Sequence, residues 1–369
     1  FLGECYRKME QWDKAAKSYQ ESINPTNEIA DYATLHLAQC YEKLALESKK
    51  EMENYENAIY WYEKFIKDYP SSFNLYTAMY HLSKCYLKAE KYRNAIVIND
   101  QLIKDQAQGY IRLATFNSAK AYEELNQWSK AKLYYQKVID AKNSDYLARD
   151  ALSAIQQIVD EHKNLKKITR SQYFTHGMVM YSAGKHKSAR ELFRKARLNY
   201  KDNLAARSVY YIAKSYYRQR RYTNAIKEYQ KVAKNYSNSG YYTTSLYDIP
   251  GCYRRKGNYD RAVSLYREFH EKYSWSKYAD NALYESANIL KNQEKYTSAI
   301  DNYTLLIRNY TKSGLVDNAL WWKGCCQFNL KKYSESLDTF KLLASRFPSS
   351  KYAGYAKYWI GKNYEAMEQ

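Results

Sequence analysis

The sequence has few helix breakers and lacks the short motifs that carry most enzyme chemistry. Its 369 residues include 4 Pro and 11 Gly, so predicted helices meet few interruptions. No HExxH, CxxC, GxSxG or glycine-rich phosphate loop occurs, and no apolar run reaches the length of a membrane span. We therefore expect an all-α protein with no catalytic residue, metal site or cofactor in this sequence.

The composition is rich in tyrosine and in basic residues. The 44 tyrosines favour helices that pack through aromatic rings. Lys+Arg 59 against Asp+Glu 39 gives a net charge of +20, which attracts anionic partners such as nucleic acid, acidic lipids or cell-wall polymers. The charges are scattered singly, which favours an ordinary solvated surface. Nucleic-acid binding ranks last because no RNA-binding repeat code accompanies the charge.

One segment, residues 208–232 (SVYYIAKSYYRQRRYTNAIKEYQKV), represents the unit from which most of the chain is built. It predicts two short amphipathic helices joined by a tight turn at Arg220–Arg221. Two apolar stripes follow from the helical spacing, first Ile212, Ala213 and Tyr216, then Ala225, Tyr229 and Val232. Because neither helix can bury its stripe alone, the unit requires neighbouring copies.

The same pattern of a small residue, a Tyr, an Ala and an aromatic recurs along the chain. In the second half its second-helix positions are 36 or 37 residues apart, at Ala189, Ala225, Ala262, Ala299 and Ser336. A fixed period in the thirties with two helices per unit is typical of an α-solenoid. The pattern resembles the tetratricopeptide repeat. This resemblance implies a right-handed superhelical solenoid of helix-turn-helix repeats, with the first helices lining its concave face.

The repeats divide the sequence into three predicted segments. N-terminal repeats occupy residues 1–142, a degenerate repeat or a hinge occupies 143–171, and C-terminal repeats occupy 172–369. In the middle segment, residues 146–162 keep helical apolar spacing, while 164–171 (NLKKITRS) predict a connector. Two turns, Tyr69–Ser72 and Phe347–Ser350, follow second helices, where we expect Pro to end one helix and Ser to cap the next. The sequence starts and stops inside a repeat, so we expect a fragment of a longer protein.

Five of the six cysteines occupy the same place in the first helix of a repeat, which favours a packing role over redox or metal chemistry. Equivalent positions in successive repeats lie on the order of 10 Å apart, beyond disulfide reach. Buried thiols are tolerated in any compartment, but six cysteines mildly disfavour an oxidising one. The five are Cys5, Cys40, Cys85, Cys252 and Cys326.

An aromatic residue three positions before the small residue of each first helix is the candidate binding feature. The tetratricopeptide resemblance implies that it faces the concave side, where basic residues would join it in a stripe suited to sugars, extended peptides or acidic ligands. The competing interpretation is that the rings only pack one first helix against the next. The candidate residues are Tyr80, Phe116, Tyr210, Lys214, Tyr217, Arg218, Tyr247, Arg254, Arg255, Tyr284, Trp321 and Tyr358.

The last quarter of the chain suggests a narrower family. Residues 319–324 (ALWWKG) and 356–361 (AKYWIG), followed by Glu365-Ala366, resemble the helical region that precedes the catalytic domain of soluble lytic murein transglycosylases. This resemblance implies a non-catalytic module of a peptidoglycan-processing enzyme in the periplasm or cell envelope. Glu285-Ser286 matches the dipeptide of that family's catalytic helix, but no Gly-Leu-Met-Gln follows, so we expect Glu285 to be a solvated repeat residue.

An alternative function stays open from the same residues. A stand-alone tetratricopeptide scaffold would bind protein or peptide partners, in the manner of an envelope-assembly or cell-division factor. The two functions differ in their ligand, since the first adds peptidoglycan glycan or peptide to the possible partners. Neither function places a catalytic residue in this sequence.

Overall fold

The structure, a computed structural model, describes residues 1–24, 29–47, 50–162, 164–165 and 167–368. Within these ranges there is no β-strand, which confirms the all-α prediction. The described residues form twenty helices: α1 Leu2–Lys8, α2 Trp12–Ser22, α3 Ala30–Glu47, α4 Glu51–Asp68, α5 Leu75–Lys88, α6 Tyr92–Lys104, α7 Ile111–Glu124, α8 Trp128–Ala141, α9 Tyr146–Glu161, α10 Arg170–Ser182, α11 His186–Arg197, α12 Asn203–Arg218, α13 Tyr222–Asn235, α14 Tyr242–Arg255, α15 Tyr259–Lys272, α16 Ala279–Asn292, α17 Tyr296–Asn309, α18 Val316–Asn329, α19 Tyr333–Arg346 and α20 Ala353–Met367.

The chain divides into two compact units, Phe1–Lys185 and His186–Gln369. Inside each unit the packing follows the chain, because a helix contacts chiefly the helix before it and the helix after it. Contacts of this kind between neighbouring repeats are what defines an α-solenoid, so the predicted architecture is confirmed. The three predicted segments, with boundaries at residues 142 and 171, stay a prediction.

Small residues in the first helices let the aromatic rings of the second helices approach closely. A methyl group added at Gly324 would lie 2.8 Å from Phe340 Cζ, and one added at Gly3 would lie 3.1 Å from the Tyr19 ring. Both distances are shorter than ordinary van der Waals contact, so a side chain at either position would force the two helices apart. The repeat pattern found in the sequence is therefore a pattern of helix–helix contact.

A left-handed residue ends the first helix in eight of the repeats. At Arg220 φ is 58°, and the N–H of Arg221 donates to the carbonyl of Tyr216 at 2.9 Å. This is the Schellman arrangement, which satisfies the last carbonyls of a helix and reverses the chain within two residues. The other left-handed residues at this turn are Glu10, Glu90, Asn126, Gly184, Gly257, Glu294 and Lys331.

The serines of the two predicted capping turns have a different role from the one expected. Ser350 Oγ accepts from the N–H of Tyr352 at 3.2 Å and donates to Asp317 Oδ2 at 2.7 Å. Ser72 Oγ makes the same pair of bonds, to Asn74 and Asp31. Neither serine is the N-cap of the next helix, so that prediction was wrong. Each serine ties its turn to the first helix of the preceding repeat.

The middle segment contains a complete helix. Leu147, Ala151 and Ile155 of α9 are buried, as the helical spacing predicts, and α9 packs against α8 and α10. Position 166 of the predicted connector lies outside the described residues. After it, Thr169 and Gln172 form a capping box that starts α10.

The cysteines follow the packing prediction with one exception. Cys40, Cys85, Cys252 and Cys326 are buried in the first helices, and burial raises the pKa of the Cys40 and Cys252 thiols to about 12. Thiols held in the protonated form are poor nucleophiles and poor metal ligands. Cys5 is exposed, contrary to the prediction.

Candidate functional site

A cavity of about 530 Å³ lies in the first unit along the first helices. A neighbouring cavity of about 300 Å³ shares Glu42, Leu46 and Lys84 with it and extends to Arg7 and Trp12. We call the two together the N-groove. The walls of the larger cavity come from α3, α5, α7 and α9 with two residues of second helices: Glu42, Leu46, Tyr55, Tyr80, Lys84, Leu87, Lys88, Tyr92, Leu113, Phe116, Asn117, Lys120, Glu124, Tyr146, Leu147 and Asp150.

Helix α6 lacks the aromatic ring that most other second helices carry. Most second helices carry an aromatic residue that contacts the candidate aromatic of its own repeat, as Tyr135 does with Phe116 at a centroid distance of 5.5 Å. In α6 this position is Asn99, which is fully buried and accepts from Ser83 Oγ at 2.6 Å. Tyr80 therefore has no ring of its own second helix beneath it.

A network of polar contacts surrounds Glu42 at one end of the N-groove. Its carboxylate accepts from Tyr62 Oη at 3.0 Å and from Lys84 Nζ at 2.7 Å, and it lies 2.7 Å from His81 Nδ1. Although burial raises the pKa of Glu42, the contacts with His81 and Lys84 outweigh that effect and lower the pKa to about 2. Glu42 is therefore ionised at neutral pH, and its charge is balanced by hydrogen bonds and ion pairs within the chain.

Charged side chains at the middle and the far end of the N-groove have fewer ion-pair partners within the chain. Lys88 and Lys120 are exposed, and neither forms an ion pair within the described ranges. The Lys120 ammonium lies 5.0 Å from the centre of the Phe116 ring. Glu124 and Asp150 add negative charge at the far end. The N-groove thus combines an apolar floor with available lysines and a smaller acidic region.

The predicted site residues fall into two groups. Tyr80 and Phe116 both line the N-groove, and their role in binding stays a prediction. In the second unit the rings pack between consecutive first helices. Tyr247 stacks on Tyr278 at 4.9 Å, and Trp321 stacks on Tyr352 at 5.1 Å.

The remaining candidate rings also differ in exposure. Tyr210 lies 5.1 Å from the Tyr241 ring and is buried, and Tyr284 lies 6.1 Å from the Tyr303 ring. Tyr358 is 61% exposed. Packing therefore occupies most of these rings in the second unit, whereas Tyr358 on α20 presents its ring to solvent.

The predicted basic stripe of the second unit is partly neutralised. Lys214 Nζ lies 3.9 Å from Asp248 Oδ2, and Arg254 Nη1 lies 3.1 Å from Glu285 Oε2. Glu285 was expected to be solvated, but it is paired and only 27% of its side chain is exposed. Each acid lies on the next first helix along the chain. Spacing within one helix could not show these pairs.

Two further basic residues of that stripe stay at the surface. Arg218 is exposed at the end of α12. Arg255 is exposed as well, and a hydrogen bond with the Tyr217 hydroxyl raises its pKa above the ordinary value. These guanidinium groups lie at the edge of the first-helix face and do not line the cavities around α14.

The sequence analysis missed the lysines and polar residues of the N-groove. A usable signal was present, because four candidate aromatics, Tyr80, Phe116, Tyr210 and Tyr358, have a lysine four residues later on the same helix face. The distances from ammonium to ring centre are 5.9 Å for Lys84 over Tyr80 and 5.8 Å for Lys214 over Tyr210. Glu42 and Asn117 had no comparable signal.

The described part of the chain contains no group of three His, Cys, Asp or Glu side chains placed to hold a metal ion. None of its helices combines the length and the apolar character needed to cross a membrane.

Comparisons with known proteins agree with the repeat pattern. Family models described as tetratricopeptide repeat match residues 1–30, 32–72, 114–141, 174–240, 249–269 and 318–350, which together exceed half of the chain. A crystal structure of the C-terminal part of a TPR repeat-containing protein from Cytophaga hutchinsonii is 14% identical, with a TM-score of 0.44, over 75% of this chain and 98% of that chain. No curated protein matches. The chain belongs to the tetratricopeptide-repeat family.

Proposed function

We propose that this protein is a scaffold for protein partners and that it holds a segment of a partner in the N-groove. Tetratricopeptide repeats support a role in protein–protein interaction. The observation that carries the assignment to this groove is a cavity of about 530 Å³ that runs across four helices. Leu46 and Tyr146 at its walls are 63% and 60% exposed. Apolar side chains of this size at a concave site favour ligand contact.

The charges of the N-groove favour an acidic segment with apolar side chains. The partner's apolar side chains would pack on Leu113, Phe116 and Tyr80, and its carboxylates would pair with Lys88 and Lys120. The net charge of +20 would increase the rate of encounter with such a segment. Partners with this chemistry bind through apolar anchors and gain specificity from the charges.

Selection from a random peptide display library against the whole chain tests this proposal. We expect the selected peptides to combine acidic residues with bulky apolar ones. Their affinity should fall at least about tenfold in the double variant Lys88→Glu/Lys120→Glu, since two attractive contacts become repulsive. The control, Lys227→Glu/Lys357→Glu, changes two exposed lysines of the second unit and the same net charge. Equal losses in both variants would contradict the proposal.

The narrower assignment to a lytic transglycosylase, with an envelope location, stays a proposal from the sequence resemblance alone. Its support is the similarity of residues 319–324 and 356–361 to the helical region of that family. A pull-down on purified peptidoglycan at several salt concentrations tests it. Retention that survives moderate salt would support glycan or peptide contact. Absence of binding at low salt would count against it.

A further inference from the structure

First helices of this chain repeatedly place a lysine over the aromatic residue one turn earlier. Lys84, Lys120 and Lys214 do so at distances of 5.9, 5.0 and 5.8 Å from the ring centres of Tyr80, Phe116 and Tyr210. The spacing of four residues puts ring and ammonium on one helix face, where cation–π attraction is favourable. In α14 the aromatic is Tyr247, and the residue four positions later is Gly251.

Gly251 leaves an opening where the other helices have a side chain. A cavity of about 160 Å³ lies there, between α12, α14 and α16, and we call it the Gly251 cavity. A methyl group built on Gly251 would meet nothing closer than the Tyr266 hydroxyl, at 3.5 Å. The backbone of Gly251 is ordinary helix, so neither backbone conformation nor close helix contact requires a glycine here.

Two carboxylates line the Gly251 cavity. Asp248 accepts from the hydroxyls of Tyr210, at 2.9 Å, and Tyr229, and Lys214 is 3.9 Å away. Glu285 contacts Arg254 at 3.1 Å. A carboxylate has about four acceptor positions, so both acids keep capacity for another donor. Lys214 and Arg254 also line the cavity, but each already faces one of the acids.

Tyr266 supplies a second, independent observation. Where the equivalent residue of another second helix is also a tyrosine, its hydroxyl bonds to a side chain of a first helix, as Tyr303 donates to Asn288 at 2.7 Å. Asn288 occupies in α16 the position that Gly251 occupies in α14. The Tyr266 hydroxyl lines the cavity and has no hydrogen-bond partner in the described part of the chain, although the residue is only 3% exposed. The hydroxyl faces the cavity and no side chain of the described residues uses its hydrogen-bonding capacity, so a donor on a ligand can bond to its oxygen.

We propose that the Gly251 cavity binds a primary ammonium group, namely a lysine side chain of a partner protein. The ammonium takes the position that a lysine of the chain itself occupies in three other first helices. Its three N–H donors match three acceptors that line the cavity, the carboxylates of Asp248 and Glu285 and the phenolic oxygen of Tyr266. The ring of Tyr247 adds cation–π attraction. This inference rests on the scaffold function but not on the N-groove.

A tethered ammonium tests the geometry without any ligand. We expect Gly251→Lys to raise the melting temperature of the full chain by about 2–4 °C more than Gly251→Met does. Both variants replace glycine by a good helix former of similar length, so their difference isolates the ammonium. Gly354→Lys and Gly354→Met form the matched pair on α20, where no atom lies within 4 Å, and they should melt alike. A Met variant at Gly251 as stable as the Lys variant would overturn the proposal.

A free probe tests binding itself. N-acetyl-lysine methylamide at millimolar concentration should shift the backbone amide resonance of Gly251 in the full chain, and N-acetyl-norleucine methylamide should not. Gly251→Asn, which gives Tyr266 an internal partner, should abolish the effect seen at neighbouring amides. The variant Lys88→Glu/Lys120→Glu should respond like the wild type, which separates this site from the N-groove. No shift with the lysine probe, an equal shift with norleucine, or tighter binding of the arginine analogue would each overturn the assignment.

Discussion

The two units each bury a carboxylate between first helices, but they compensate it differently. In the first unit Glu42 has Lys84 Nζ and His81 Nδ1 at 2.7 Å, and its pKa falls to about 2. In the second unit the nearest cation to Asp248 is Lys214, at 3.9 Å, and burial raises the pKa of Asp248 above its ordinary value. The repeat scaffold is the same in both units. The distance to a cation decides whether the buried acid contributes to stability.

The comparison has a functional meaning. A fully compensated acid such as Glu42 has little need of a ligand, so the N-groove attracts partners through its apolar surface and its lysines. An incompletely compensated acid such as Asp248 gains from an added cation. Repeats of one family can therefore form a groove that attracts acidic groups in one unit and a cavity that attracts a cation in the other.

Among the variants that test this comparison, we expect Glu42→Gln to lose the most unfolding free energy. Glu42→Gln removes the acceptor of Lys84 and His81 and weakens the bond from Tyr62. A pKa lowered from 4.5 to about 2 corresponds to roughly 3 kcal/mol, and partial solvent access reduces this to about 2 kcal/mol of unfolding free energy. Urea unfolding at pH 7 measures the loss. A change below about 0.5 kcal/mol would show that the Glu42 contacts contribute little.

Removal of the partner lysines should give intermediate and unequal effects. Lys84→Met breaks a contact of 2.7 Å to a buried acid, so we expect a loss of about 1 kcal/mol in unfolding free energy. Lys214→Met removes only a contact of 3.9 Å, and we expect a loss of about 0.3 kcal/mol. The same urea titration serves for both variants, and each is the control for the other. Equal losses would refute the distance argument.

A small change of the opposite sign is expected for Asp248→Asn, and its pH dependence should be opposite in sign to that of Glu42. Because the folded pKa of Asp248 is raised, its ionised form costs free energy above that pKa, and this cost is lost as the pH falls through the folded pKa to the ordinary value of 3.8. The variant should match or exceed wild-type stability at neutral pH by up to about 0.5 kcal/mol.

The stabilisation from Glu42 runs the other way with pH. It is present above the ordinary value of 4.5 and is lost as the pH falls to about 2. Unfolding free energies of the wild type, Asp248→Asn and Glu42→Gln between pH 7 and 3 compare the two acids directly. At pH 7 we expect Glu42→Gln to be less stable than the wild type and Asp248→Asn to be as stable or more stable. A difference from the wild type of the same sign for both variants would contradict the opposite pKa shifts.

The fold was predictable because its determinants are local. The spacing of Ala225 and Tyr229, repeated every 36 or 37 residues, already specifies two helices and their contact. The same pattern located Gly324 where Phe340 approaches. Helix α9 followed from its apolar spacing even though the repeat marker fails there. The serine turns were misjudged because the Asp that receives each hydroxyl lies one repeat earlier.

The candidate site was only partly predictable because it depends on pairs between different helices. The sequence pointed to Tyr80 and Phe116 but gave no reason to prefer them over Tyr247 or Trp321, which pack in the same register. What distinguishes the N-groove is the cavity of about 530 Å³ between α3, α5, α7 and α9. Such a cavity depends on how four helices pack together, which the spacing within one helix does not specify.

The most direct test of the central claim is to locate a bound partner segment. A display-selected peptide that carries a photoreactive group would be cross-linked to the full chain, and mass spectrometry would identify the attachment sites. We expect the cross-links on α3, α5, α7 and α9, at residues that line the N-groove such as Leu113 and Tyr146. Cross-links concentrated on second helices, or in the second unit, would contradict the assignment of the partner site.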